Sequence, residues 1–291
     1  METAGYAVVI SRPARRIFAL SAILAVLYML GCIYMWATQR QHIFEPEPQL
    51  QTSPDRDGMV FEEVYIASGN GTERGKLHGW WIPADQPGAP TLLYLHGNYR
   101  NISYNVEHAM RLHSLGYNLL LVDYRGYGKS TGGEPSEAKV YEDAEAAWNY
   151  LMTQRATGAP RTFIYGHSLG GAIAIDLAVR HPEAAGLVAE STFTSMPAMG
   201  MLDYSYLPVG WILNQRFDSL EKIVAIKIPI LLIHGTWDKK VPVQMSQQLF
   251  DRAPQPKSLQ LIAGGEHSNN SGIAWVEYRT ALTDFIRKYA H

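Results

Sequence analysis

Phe163-Ile164-Tyr165-Gly166-His167-Ser168-Leu169-Gly170-Gly171 reads as a short apolar strand running into Gly-x-Ser-x-Gly, and Leu169 to Arg180 behind it carries the spacing of an amphipathic helix. A five-residue pattern of two glycines and a serine is short enough to occur by chance. The strand before it and the helix after it are what give it weight. A residue held on so sharp a strand-to-helix turn needs small neighbours for the turn to close, and Gly166, Gly170 and Gly171 supply them.

Outward from this turn the same rhythm repeats. Apolar strand-like runs at 91–95, 119–122, 162–165, 186–189, 230–233 and 259–262 alternate with helical stretches near 106–115, 137–153, 169–180, 243–253 and 274–289. Ahead of them, alternation over 60–67 and 76–82, split by Ser68-Gly69-Asn70-Gly71, predicts an antiparallel hairpin. The expected fold class is α/β: a mostly parallel central sheet with helices on both faces. Residues 193–222 break the rhythm and are rich in Met, Tyr and Trp. They are expected to form a small lid inserted after one strand; ordinary core packing of part of the stretch is the competing reading.

The N-terminal end has a different character. Ile17 to Ala37 contains no charged residue and, as a helix rising ~1.5 Å per residue, spans ~30 Å, one hydrocarbon core. Arg12, Arg15 and Arg16 precede it, whereas Arg40 is followed by Glu45 and Glu47, so the positive-inside bias places the N-terminus in the cytoplasm and the remainder outside it, in a periplasm or lumen. Tyr34 and Trp36 suit the far interface. A cleaved signal peptide has a shorter apolar region. A lipoprotein signal ending at Leu30-Gly31-Cys32 would turn polar after the cysteine, and this chain does not. Glu45 to Gly58, with three prolines, reads as an extended tether. The expected organisation is a cytoplasmic tail (1–16), a transmembrane signal-anchor helix (17–37), a linker (38–58) and a catalytic domain (59–291) with a lid at about 193–222.

Composition narrows the chemistry. The chain has 291 residues, 47% of them apolar, enough for one large core. A net charge of −2 with no basic cluster argues against nucleic acid as a partner. Cys32, in the apolar run, is the sole cysteine, which excludes an intrachain disulfide, a thiolate zinc site and a cysteine nucleophile in the main domain. A serine hydroxyl is unreactive at neutral pH unless a base takes its proton and a third group orients that base. His267 stands in the glycine loop Gly264-Gly265-Glu266-His267 after a strand. Asp238 stands in His234-Gly235-Thr236-Trp237-Asp238 after another. In an open parallel sheet such loops collect at the carboxyl edge, where the strand delivering Ser168 also ends. Ser168, Asp238 and His267 are therefore the catalytic candidates. An oxyanion needs backbone donors, and the candidates are the N–H of Leu169 at the helix start and that of Asn98 in His96-Gly97-Asn98. His78, His96, His108, His113, His181 and His234 are assigned structural roles.

His96-Gly97-Asn98, Asp123-Tyr124-Arg125-Gly126-Tyr127-Gly128-Lys129-Ser130, Gly166-His167-Ser168-Leu169-Gly170-Gly171, Phe217-Asp218-Ser219 and His234-Gly235-Thr236-Trp237-Asp238 with Val241-Pro242 resemble the α/β-hydrolase superfamily. More narrowly, they look like its single-pass, short-lid branch of α/β-hydrolase-domain proteins. The resemblance covers about 60–289. It implies an α/β-hydrolase fold and a serine acyl hydrolase acting on lipid-like esters or thioesters, with no metal or organic cofactor, and it carries Ser168, Asp238 and His267 over as nucleophile, acid and base, in the family's chain order. Asp123 and Arg125 match a structural loop. Tyr99-Arg100 and Glu266 depart from the family's smaller residues and bear on substrate shape.

The expected function is hydrolysis of carboxylic ester or thioester bonds of a small acyl or lipid-like substrate through an acyl-enzyme. A serine peptidase of the same fold, with Glu190 or Glu266 holding a peptide terminus, is one alternative. A membrane-tethered, non-catalytic scaffold is the other. Oligomeric state is not encoded in any of these features.

Overall fold

The computed structural model describes residues 12–71 and 74–290. Residues 1–11 of the expected cytoplasmic tail lie outside the described residues, as do 72, 73 and 291 of the expected domain. The described residues begin with helix α1 (Arg12–Ile43), longer at both ends than the apolar run: Pro13 stands in its first turn, where a missing N–H breaks no helical bond, and no further proline follows before Pro46. The strands are β1 (Glu45–Pro46), β2 (Glu62–Ser68), β3 (Gly75–Ile82), β4 (Thr91–Leu95), β5 (Tyr99–Arg100), β6 (Asn118–Val122), β7 (Thr162–His167), β8 (Gly186–Glu190), β9 (Ile230–Gly235) and β10 (Lys257–Ile262). The remaining helices are α2 (Val106–His113), α3 (Glu137–Tyr150), α4 (Leu169–Arg180), α5 (Met196–Asp203), α6 (Val209–Ile212), α7 (Ser219–Lys222), α8 (Val243–Arg252), α9 (Asn270–Ile273) and α10 (Trp275–Tyr289).

Eight strands form one sheet in the order β10-β9-β8-β7-β4-β6-β3-β2. Only β3 runs against the others, since β2–β3 and β3–β6 pair antiparallel and the other pairs of this sheet are parallel. The central strands β4, β7, β8 and β9 are buried along their whole length, as strands covered on both faces must be. One apolar cluster packs α3 and α4 against the sheet, and a second packs α2 and α10 against the opposite face. The strands that pair in parallel, β4 and β6 to β10, end at one edge, so the loops after β4, β7, β9 and β10 converge there.

Two parts differ from the sequence reading. Residues 38–58 are not a free tether. Ile43 and Phe44 are 7% and 3% exposed, with Phe44 edge-on to Phe217, and β1 pairs in parallel with β5. The physical reason is that the apolar residues at the end of α1 find a buried site against the domain, a partner that local sequence does not reveal. In the expected lid, α5 and α6 cover the carboxyl edge, whereas Phe217 and Ser219 are buried and α7 packs on α4, so the last third of the segment belongs to the core. Among the described residues α1 is the one helix long and apolar enough to cross a membrane.

Candidate active site

Ser168 sits at the turn between β7 and α4 with φ 55° and ψ −119°, a left-handed conformation that costs a non-glycine residue of order 1–3 kcal/mol. The surroundings enforce it. A Cβ on Gly170 would stand 2.0 Å from the Leu95 carbonyl oxygen, and one on Gly166 2.1 Å from that of Gly170, so α4 starts in direct backbone contact with β4 and β7. Ser168 N–H is held by the Glu190 carbonyl oxygen (2.8 Å). The hydroxyl is thereby aimed at the carboxyl edge.

There it meets His267. Ser168 Oγ lies 2.9 Å from His267 Nε2, and His267 Nδ1 lies 2.8 Å from Asp238 Oδ2. A carboxylate only accepts, so Nδ1 carries the proton and donates it to Asp238, which leaves Nε2 as the acceptor for the serine O–H. Asp238 is itself anchored: Oδ1 accepts from the N–H groups of Lys240 and Val241 (2.9 Å each). Burial pushes its carboxyl up, but the hydrogen bonds from His234 and His267, the His267 charge and the Val241 N–H outweigh that and hold it well below the usual carboxylate range. It is ionised at neutral pH.

Two histidines not expected at the site brace it. His234 Nε2 lies 3.2 Å from Asp238 Oδ2 and 3.0 Å from the Val241 carbonyl oxygen, both acceptors, so this nitrogen carries a proton and Nδ1 accepts from Ser246 Oγ (2.6 Å). It fixes the loop bearing the acid. His167 Nε2–H donates to the His267 carbonyl oxygen (2.7 Å), tying the loop of His267 to the residue before Ser168. Burial, with the nearby His267, brings the His167 pKa down to about 4, so the ring is neutral at pH 7. The sequence signal for His234 was its position at the end of a strand, four residues before Asp238; His167 had none beyond adjacency to Ser168.

The backbone donors also gather here. Leu169 opens α4, where N–H groups have no intrahelical acceptor, and Asn98 follows β4. Gly97 adjoins the nucleophile, since a Cβ on it would stand 3.3 Å from Ser168 Cβ. Asn98 is pinned by the end of α1: its carbonyl oxygen accepts from Glu45 N–H (3.1 Å) and Tyr127 O–H (2.9 Å), and its Nδ2 donates to the Ile43 carbonyl oxygen (3.0 Å). Asp123 and Arg125 face inward instead. Asp123 Oδ1 accepts from Ile102 N–H (2.8 Å), and Arg125 pairs with buried Asp143 (2.7 Å). His96 is buried against Tyr124 and Tyr127.

Glu190 cannot hold a peptide terminus. It is 2% exposed and accepts from Tyr165 O–H, Asn270 Nδ2 (2.9 Å) and Tyr278 O–H (3.1 Å) beneath the nucleophile turn. It is the last residue of β8, and its side chain turns inward, where these donors satisfy it. Glu266 is exposed and exchanges hydrogen bonds with Asn269. Neither lines the cavity over Ser168.

That cavity holds about 460 Å³ and contains Ser168, His267, Asn98 and Leu169 in its wall. Phe193, Met196, Met199, Leu207, Val209, Ile212 and Leu213 supply an apolar side, Met35, Gln39 and His42 of α1 line it as well, and Glu45, Asp203, Lys239 and Lys240 bring charges to the wall.

Comparison with known proteins places the chain among relatives of this fold. A family model described as "Serine aminopeptidase, S33" matches residues 87–222, which include Asn98 and Ser168 and stop before Asp238. A Mycobacterium tuberculosis protein, Rv2307c, is 34% identical over 249 residues, covering 85% of this chain and 87% of its own. The Xenopus laevis alpha/beta hydrolase domain-containing protein 17C is 30% identical over 74% of this chain and 67% of its own. Among solved structures, the Pyrococcus furiosus esterase Pf2001 superposes with a TM-score of 0.70 over 86% of this chain and 98% of its own, at 23% identity, a likeness of fold.

Proposed function

The chain belongs to the α/β-hydrolase superfamily, and from that premise we propose that it is a serine hydrolase cleaving carboxylic esters or thioesters of lipid-like acyl substrates, with Ser168, His267 and Asp238 as its triad. The observation that carries the reading is the unbroken relay Ser168 Oγ to His267 Nε2 and His267 Nδ1 to Asp238, under a cavity with an apolar side.

The steps follow from those atoms. His267 Nε2 takes the serine proton as Oγ attacks the acyl carbonyl, and Asp238 stabilises the imidazolium that forms. The developing oxyanion accepts from the N–H groups of Leu169 and Asn98, an arrangement worth about 3–4 kcal/mol per donor in comparable sites. As the tetrahedral intermediate collapses, His267 returns the proton to the leaving alcohol or thiol, and the acyl group stays on Ser168. Water then attacks the acyl-enzyme with His267 as base, which releases the acid and regenerates the serine. Every step uses the chain's own groups, so the reading calls for no metal or organic cofactor.

The apolar helix α1 is the basis for the rest of the reading: an uncleaved anchor with Arg12, Arg15 and Arg16 on the cytoplasmic side and the catalytic domain on the other. Peptide hydrolysis remains the second reading because Glu45 and Asp203 also line the cavity, and a carboxylate is what a peptide amino-terminus would require. A non-catalytic scaffold has no use for a strained serine in hydrogen-bond reach of a base.

Purified chain should label with a fluorophosphonate probe and Ser168→Ala should not; equal labelling of the two would sink the assignment. Parallel assays on acyl esters, acyl thioesters and aminoacyl amides separate the readings, and turnover of the amide alone would favour the peptidase.

A further inference from the structure

The lid is chemically unlike a surface that meets water. Its helices α5 and α6 and their connection, residues 196–213, carry one charged residue, Asp203, and that one faces the cavity. The outer face presents Met201, Leu202, Tyr206 and Trp211, with Trp211 94% exposed. A contiguous apolar face of this kind on a folded monomer marks something that covers it.

What covers it follows from the position of α1. The hydroxyl of Tyr28 donates to the Tyr206 carbonyl oxygen (3.1 Å), and α6 packs along α1. Below the lid, Gln39 Oε1 accepts from the N–H groups of Asn214 and Gln215 (2.8 and 3.2 Å), which fixes the depth of the helix against the domain. Tyr28 stands nine residues before Ala37, the end of the apolar run. At ~1.5 Å per residue this is ~13 Å inside that end, near the middle of a hydrocarbon core of ~30 Å. A lid that reaches Tyr28 therefore extends well into whatever surrounds the apolar run.

We infer that α5 and α6 are a second membrane-embedded element, buried in the acyl-chain region of the leaflet on the domain's side, and that the cavity opens between them and α1 so that the substrate is a bilayer-resident acyl amphiphile entering sideways from that leaflet. The inference rests on the reading of α1 as a membrane span and narrows the substrate class of the proposed hydrolase. The cavity wall carries both elements: Met35, within the apolar run, and Gln39 from α1 face Met199, Leu207 and Ile212 from the lid. Ser168 shares that wall with Gln39 and His42, which follow the apolar run, so the acyl carbonyl would lie at the polar boundary while the chain stays in apolar surroundings.

The test uses the full chain with Cys32→Ser, reconstituted in vesicles of equal parts phosphatidylcholine and phosphatidylglycerol, and an environment-sensitive fluorophore on one introduced thiol. Trp211→Cys reports the lid. Leu24→Cys reports α1. Lys288→Cys, beside Lys257 and Ile230 at the opposite sheet edge, reports water. Thermal unfolding of each labelled chain confirms the fold. The expected result is that the probe at Trp211→Cys shifts to the blue, loses emission to nitroxides on the acyl chains and resists aqueous nickel, as the Leu24→Cys probe does. If Leu24→Cys behaves so and Trp211→Cys follows Lys288→Cys, the inference is overturned and the anchor stands. If neither meets the acyl-chain nitroxides, the anchor has failed and the inference with it. Neither result depends on turnover, so fluorophosphonate labelling at Ser168 remains a separate test of the hydrolase reading.

Discussion

Replacing Phe44 by alanine tests whether the segment after α1 is part of the catalytic domain. Phe44 is 3% exposed, packs edge-on to Phe217 at 6.1 Å between ring centroids and belongs to the main apolar cluster. Phe→Ala at such a site costs about 3–5 kcal/mol, the transfer of the lost ring plus the cavity it leaves. For a domain of this size about 1 kcal/mol lowers the melting temperature by ~2–4 °C, so a fall of roughly 10 °C is expected. If the junction undocks locally before the domain melts, the loss is capped at the docking free energy and shows instead as proteolytic cleavage within 45–58. In that case the Asn98 loop loses the partners at Ile43 and Glu45, and fluorophosphonate labelling should slow. Val60→Ala, at a position 77% exposed, is the control and should change stability by no more than ~0.5 kcal/mol. Detergent-solubilised full-length chain, followed by thermal unfolding and labelling rate, gives both readouts. A Phe44→Ala chain that melts with Val60→Ala, resists protease and labels at the parent rate would return residues 38–58 to the status of a free tether.

Asp238→Asn keeps the shape of the acid but favours the wrong His267 tautomer, and the rate of ester turnover should fall by about 10³–10⁴-fold; a loss below tenfold would show that another group orients the base. Gly170→Ala forces a methyl to 2.0 Å from the Leu95 carbonyl oxygen, so it should cost about 3 kcal/mol or more in a denaturant titration, whereas Gly210→Ala, with open space around it, should not. Acid stability carries a sign that can be checked. His167 is depressed to about 4 from an ordinary 6.5, so between those values the unfolded chain binds the extra proton and stability falls as pH drops, by about 3 kcal/mol at ~1.4 kcal/mol per pH unit. The Asp238 carboxyl is also depressed, so its contribution is present above its unfolded pKa of about 4 and is lost as pH falls below that. His167→Gln should therefore flatten the loss between pH 6.5 and 4 and leave the more acid part in place. Superimposable profiles for parent and variant would refute the assignment.

Most of the architecture was legible because the signals are local and periodic. Strands such as Thr91–Leu95 and the helix Leu169–Arg180 have the limits that the apolar pattern predicts, since their burial on both faces or one face is written in consecutive residues. The geometry of Ser168, Asp238 and His267 was foreshadowed in the same way, because each stands just past a strand and the topology of a parallel sheet sends those ends to one edge. The two-residue pair β1–β5, the inward turn of Glu190 and the docking of Ile43 and Phe44 were not legible. Each depends on a partner tens of residues away in the chain and leaves no periodic trace.

By itself, the sequence determined an α/β sheet with a glycine-flanked serine turn, two loops carrying an aspartate and a histidine past their strands, and an apolar helix long enough for a membrane. Those are properties of short windows, where spacing and composition decide. The tertiary structure alone decided which histidines brace the relay, that the end of α1 holds Asn98 beside Ser168, and that α1 and the lid share one cavity wall. Such features arise from close packing among elements distant in sequence, where a side chain's role is set by what it meets in space and not by its neighbours along the chain.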